Sequence, residues 1–134
     1  MDAFDADVLI YAAAPTHPIG FVVRALLDEA PPGTSAGVGS VMLLPEMLSK
    51  PVRDGDGPTV EALAAVLGRL DLLPVDAAVA RLAVVLAAQY RLRAADSVHL
   101  ATAVVAGADR FITNNRKDFA TTITEIDVVY PDSL

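Results

Sequence analysis

Four acids stand where acids are unusual. Asp5 ends an apolar strand-like run, Glu46 lies inside Val41-Met42-Leu43-Leu44-Pro45-Glu46-Met47-Leu48, Asp96 opens an apolar helix pattern, and Asp118 closes the polar turn 114–118. An isolated buried carboxylate is costly and takes up a proton sooner than it stays charged, so several that converge require a cation between them. Mg²⁺ or Mn²⁺ suits such an oxygen donor set, because the ion binds through a few carboxylates, keeps several waters and accepts phosphate oxygens. A cluster of this kind can activate a water and neutralise charge on a phosphodiester under attack.

Each acid also has an ordinary structural reading. Asp96 suits a helix N-cap, Glu46 a solvent-facing helix position, and Asp5 and Asp118 suit turns. His99, three residues after Asp96, is close to the same helix face and reads as a partly buried structural histidine. His17, between two loop prolines, reads as surface.

Positioning these residues requires strands that end at the acids. Residues 3–5 form a first strand, and 8–14 and 19–30 are helical, the latter with an apolar face of Ile19, Val22, Val23, Leu26 and Leu27. A second strand is expected over 34–38, Ser40 is a helix N-cap, and the following helix runs to Lys50 with Pro45 near its first turn. Residues 51–58, with two Asp and two Gly, are expected to form an exposed loop. Then come a helix over 59–70, a strand over 72–75, a helix over 77–90 capped by Asp76, and a helix from 94 ended by Gly107. Strands over 109–113 and 127–130 finish the chain. Strands alternating with helices imply a three-layer α/β fold around a parallel sheet, in which ligands bind outside the carboxyl ends of the strands.

Composition narrows the chemistry. At 134 residues the chain has room for one domain. Hydrophobic residues make up 54%, yet no window approaches the unbroken apolar run of a membrane span, so the excess belongs to the core or to a partner-covered surface. The absence of cysteine excludes thiolate metal sites, and two histidines make an imidazole zinc site a poor fit. The amino terminus has no basic region followed by an apolar run, which points to the cytoplasm. A net charge of −7 argues against general coating of nucleic acid, but Arg91, Arg93, Arg110, Arg116 and Lys117 form a local basic set around the acidic stretch.

Four segments together carry a family resemblance. Phe-Asp-Ala-Asp-Val-Leu-Ile-Tyr at 4–11 is similar to the Asp-Thr-Asn-Val-Leu-Ile-Tyr opening of PIN domains, with Asp7 where Asn or Ser is commoner. Ser-Val-Met-Leu-Leu-Pro-Glu at 40–46 matches the segment that brings the second acid. Ala-Ala-Asp-Ser-Val-His-Leu-Ala-Thr-Ala at 94–103 resembles the third motif, and Phe-Ile-Thr-Asn-Asn-Arg-Lys-Asp-Phe at 111–119 the fourth.

The resemblance implies a PIN-like fold, a five-stranded parallel sheet flanked by helices, filling 1–134 as a single domain. It implies a Mg²⁺- or Mn²⁺-dependent endoribonuclease with Asp5, Glu46, Asp96 and Asp118 as catalytic and metal-binding acids. Asp7, Arg93, Thr113, Asn115, Arg116 and Lys117 are candidates for positioning substrate or water. Small members of the family are typically VapC toxins, usually dimeric and inhibited by a VapB antitoxin, here with RNA as substrate. Asn115 stands where some members have an acid, which leaves open a weakened PIN domain that acts as a binding partner. Asp5 and Asp7 also resemble the nucleophile loop of haloacid-dehalogenase-type phosphatases, although the later Lys and acidic motifs of that class are not evident. A receiver-like binding module would need a phosphorylatable acid at a central strand end, whereas Asp54 lies in a Gly-rich loop.

Overall fold

The computed structural model describes residues 1–134. Five short strands, β1 (Asp2–Phe4), β2 (Val38–Ser40), β3 (Asp71–Leu73), β4 (Arg110–Ile112) and β5 (Asp127–Val129), pair in the order β3-β2-β1-β4-β5. Every pairing is parallel. The helices are α1 (Ala6–Ala13), α2 (Pro18–Asp28), α3 (Leu43–Arg53), α4 (Gly57–Leu67), α5 (Ala77–Tyr90) and α6 (Ala94–Val105). The expected five-stranded parallel sheet flanked by helices is the fold observed.

Alternation along the strands divides the core into two layers. Ala3, Val38, Phe111 and Val128 pack with Val79 and Leu86 of α5 and Leu100 of α6. Phe4 and Ile112, the next residues along β1 and β4, pack with Leu9 of α1, Val23 of α2, Leu43 of α3 and Leu67 of α4. Buried on both faces, these strands read as apolar runs rather than as half-polar ones.

Chain order reverses between β1 and β4, because β1 has β2 on one side and β4 on the other. Such a switch point leaves a crevice beyond the carboxyl ends of the two strands, where neighbouring connections diverge. Asp5 follows β1 and Thr113 follows β4, so both lie at its mouth.

Local chemistry explains most boundaries. Asp76 caps α5 by accepting from the Val79 amide at 2.9 Å, and α6 ends in a Schellman motif. There Gly107 takes φ 72°, its amide donates to the Val104 carbonyl, and the Ala108 amide donates to the Ala103 carbonyl. Three expectations need correction. Ser40 is the last residue of β2, not the cap of α3, and its Oγ accepts from the Met42 amide at 3.1 Å. The second strand starts at Val38 rather than 34, because Thr34 Oγ1 and Ser35 Oγ donate to the carbonyls of Pro31 and Gly37 and hold a turn. The loop expected over 51–58 shrinks to 54–56: α3 continues through buried Pro51, and Asp56 caps α4 with Pro58 in its first turn.

No single helix is long and apolar enough to cross a membrane; α1 and α2 reach that length only as a pair bent by 98°. Close packing at the bend depends on Gly20, where an added Cβ would sit 2.2 Å from the Tyr11 carbonyl oxygen. Gly20→Ala is therefore expected to cost about 1–3 kcal/mol, measured as a lower urea midpoint with an unchanged m-value.

Candidate active site

Asp5 is the anchor of the switch-point crevice. It is the N-cap of α1, with Oδ1 accepting from the Ala6 amide at 2.8 Å and Oδ2 accepting from Thr113 Oγ1 at 2.8 Å. Only 4% of the residue is exposed, too little for a carboxylate that serves merely as a turn former. Burial pushes its pKa up, the Thr113 bond pulls it part of the way back, and the charge of Glu46 adds to the rise.

Asp96 lies in the first turn of α6 but does not cap it. The N-cap is Arg93, which makes no side-chain capping bond, so the carboxylate of Asp96 is not spent on the helix end. Its pKa is raised first by burial and then by Asp5, Asp118 and Glu46, in that order. Three other acids are therefore close enough for their charges to be felt at this one.

Glu46, in the first turn of α3, is bound by a residue whose partner is 53 positions away in sequence. His99 Nε2 lies 2.5 Å from Glu46 Oε2, with the imidazole 1% and the carboxylate 37% exposed. Burial lowers the His99 pKa, but the hydrogen bond and charge of Glu46 outweigh it and leave it raised. Glu46 thus stands at the rim, half in solvent and tethered inward.

Asp118 is half-buried in the turn after β4 and is paired with Asn115. The Asn115 Nδ2 donates to Asp118 Oδ2 at 2.9 Å, and the Asp118 amide donates to Asn115 Oδ1 at 3.3 Å. Asn115 therefore orients the acid three positions on. Thr113 is fully buried, donating to Asp5 and accepting from the Asn115 amide at 3.1 Å, so it lies behind Asp5 rather than facing a substrate.

Asp7 is a fifth carboxylate, with its pKa raised to about 6 by burial and by Asp5. Its Oδ1 accepts from the Val8 amide at 2.7 Å and its Oδ2 from the Asn114 amide at 3.1 Å, which ties α1 to the turn after β4. It does not present the free second acid that a phosphatase loop would need. Of the basic candidates, Arg116 is committed to Asp132 at 2.5 Å and to the Tyr130 ring, 4.4 Å from its centroid. Lys117 and Arg93 are exposed and outside the ion pairs of the structure. The histidine link to Glu46 was missed by spacing arguments, although His99 stands one helical turn beyond Asp96. His17 does more than face solvent: its Nδ1 caps α2 and its ring stacks on Tyr11 at 4.1 Å.

The donor types suit a hard divalent cation, since the convergent acids supply oxygen, and burial first and neighbouring acids second raise the pKa values of Asp5 and Asp96. No three acidic or imidazole groups already surround a common point, so an ion would have to draw the carboxylates inward.

A model of the PIN domain matches residues 3–122. Among solved structures, the chain is similar to one in a toxin–antitoxin complex from Klebsiella pneumoniae, with TM-score 0.73, 23% identity and 98% of each chain covered. It is also similar to a chain of VapBC2 from Rickettsia felis bound to a DNA fragment from their promoter, with TM-score 0.72 and 16% identity over 96% of this chain and 97% of that one. No curated protein matches at a significant level. The family model runs from β1 through the turn that holds Asp118, taking in all four convergent acids, and the protein belongs to the PIN domain family.

Proposed function

We propose that this protein is a Mg²⁺- or Mn²⁺-dependent endoribonuclease and the toxin of a VapBC-type pair, acting in the cytoplasm as a homodimer and inhibited by a VapB-like antitoxin. One domain over residues 1–134 carries the activity. The observation that bears most weight is a buried carboxylate without a cationic partner: Asp5 is 4% exposed, its side chain is bonded only to the Ala6 amide and Thr113, and it lies near enough to Asp96, as Glu46 and Asp118 also do, for its charge to be felt there. The whole-length likeness to chains of toxin–antitoxin complexes supports the partner.

Asp5, Glu46 and Asp96 would hold the ion, with Asp118 completing the site directly or through water. When bound, the cation supplies charge neutralisation on the phosphodiester and a more acidic water at neutral pH. The chain's own residues do the positioning. Thr113 Oγ1 fixes Asp5 Oδ2, Asn115 fixes Asp118 Oδ2, and the imidazole of His99 fixes Glu46 Oε2. Lys117 and Arg93 supply exposed charge for the RNA backbone, contacts that position a strand without reading its sequence. Exposed Ile10, Phe21, Val22 and Leu44 on the early helices give an antitoxin or a second copy an apolar surface to cover.

Asn115 and the open spacing of the acids favour a second reading, a PIN domain that binds a partner without cutting. The two readings separate on a mixed pool of structured RNA. The purified chain should cut it with Mn²⁺ or Mg²⁺ and stop when EDTA is added. Intact RNA at every metal concentration, alongside tight binding of an antitoxin, would favour the binding domain.

A further inference from the structure

We infer that His99 is a positioning residue of this site: its Nε2–H holds the Glu46 carboxylate inward, across the crevice from Asp5 and Asp96, so that Glu46 is available as a ligand. The inference rests on the metal-site reading above and deepens it.

Three observations carry it. Glu46 has no other side-chain hydrogen bond, and at 37% exposure it can swing freely into water, so nothing else in the fold keeps it at the site. The imidazole is 1% exposed and locked by the packing of α6, which makes it a rigid post for a mobile acid. Its other nitrogen, Nδ1, is buried without any partner. A histidine kept only for packing would be replaced without loss by an apolar residue, because a buried unpaired polar atom costs free energy that such a residue avoids. The geometry also works in either protonation state, since Nε2 carries the donated proton in both the neutral tautomer that leaves Nδ1 bare and the imidazolium.

His99 sits one turn beyond Asp96 on α6, whereas Glu46 belongs to α3. The single bond therefore fixes an acid from one helix layer against an acid from the other. Outer partners of this kind set ligand orientation, and their removal typically lowers metal affinity about 10–100-fold.

The test compares Mn²⁺ affinity, by calorimetry, and Tm of the metal-free protein for the native chain, His99→Leu, His99→Gln, His99→Asn and Asp96→Asn. Gln places an amide donor near the Nε2 position, whereas Asn reaches only to about Nδ1. His99→Leu should keep or raise Tm while Mn²⁺ binding weakens about 10–100-fold; Gln should recover most of the affinity and Asn little of it. Equal Mn²⁺ affinity in the native chain and His99→Leu would overturn the inference and leave the metal site standing. A loss in all three His99 variants that merely tracks a fall in Tm would also overturn it, assigning His99 to packing. If the native chain and Asp96→Asn both fail to bind Mn²⁺, the metal reading falls and the inference falls with it.

Discussion

Asp96→Asn should abolish RNA cleavage, lowering it by about 10³-fold or more, which corresponds to about 4 kcal/mol of lost transition-state stabilisation. The same change should leave Tm of the metal-free protein unchanged or raise it by roughly 1–3 °C, a modest gain because Asp96 is half-buried and its repulsions are screened. The two halves of this result belong together. Asp96 makes no capping bond at the start of α6, and burial and three neighbouring acids all disfavour its charge. An uncharged isostere relieves that strain while removing a ligand. Kinetics on structured RNA paired with calorimetric melting would check it. A drop of several degrees in Tm, with activity falling only in proportion, would show that Asp96 serves the helix rather than the chemistry.

Metal-free protein should lose stability as the pH rises from the ordinary carboxylate range toward 8, and Mn²⁺ should reverse the trend. Asp5, Asp7 and Asp96 have folded-state pKa values raised above the ordinary 3.8, so between that value and their folded values the folded chain holds more protons than the unfolded one. Stability therefore falls with rising pH across that window. For Asp7 the window reaches to about 6, and its share is about 1–2 kcal/mol once its partial exposure is discounted. His99 extends the trend, because its raised pKa favours the imidazolium in the fold, a contribution complete below 6.5 and lost as pH passes the folded value. The pair between the amino terminus and Asp109, fully exposed, acts in the opposite sense only as pH falls below the ordinary carboxylate range. Mn²⁺ at roughly a thousand times its Kd should add about 4 kcal/mol, and more at pH 8 than at pH 5, since it competes with protons for the same oxygens. Chemical denaturation at several pH values, with and without Mn²⁺, measures both. Stability that climbs from pH 5 to 8 without metal would mean that the acids are already compensated.

Much of the architecture was legible because it is written in local chemistry. Asp76 and Gly107 mark helix ends by capping and by left-handed φ, and the helix over 77–90 appears with the expected bounds. Strands alternating with helices pointed to a parallel sheet, whereas the position of the switch point depends on a strand order that only the fold shows. Local signals misled where tertiary packing outweighed them. Pro51 reads as a breaker, yet its ring is buried against the core and α3 runs through it. Ser40 reads as a cap, yet pairing with Leu73 keeps it in β2. At the site, the acids were visible as charges in apolar surroundings. Their supports were not, because the His99–Glu46 bond joins residues 53 apart and the Thr113–Asp5 bond joins residues 108 apart. Hydrogen bonds over such separations leave no periodicity to read.

Whether the convergent acids form a cation site can be read from a manganese anomalous-difference map of crystals equilibrated with Mn²⁺. A peak bounded by Asp5 and Asp96 is expected at the switch-point crevice, with Glu46 drawn inward on its His99 tether and Asp118 within reach directly or through water. A crevice without a peak at millimolar Mn²⁺, its carboxylates still apart, would contradict a cation site there.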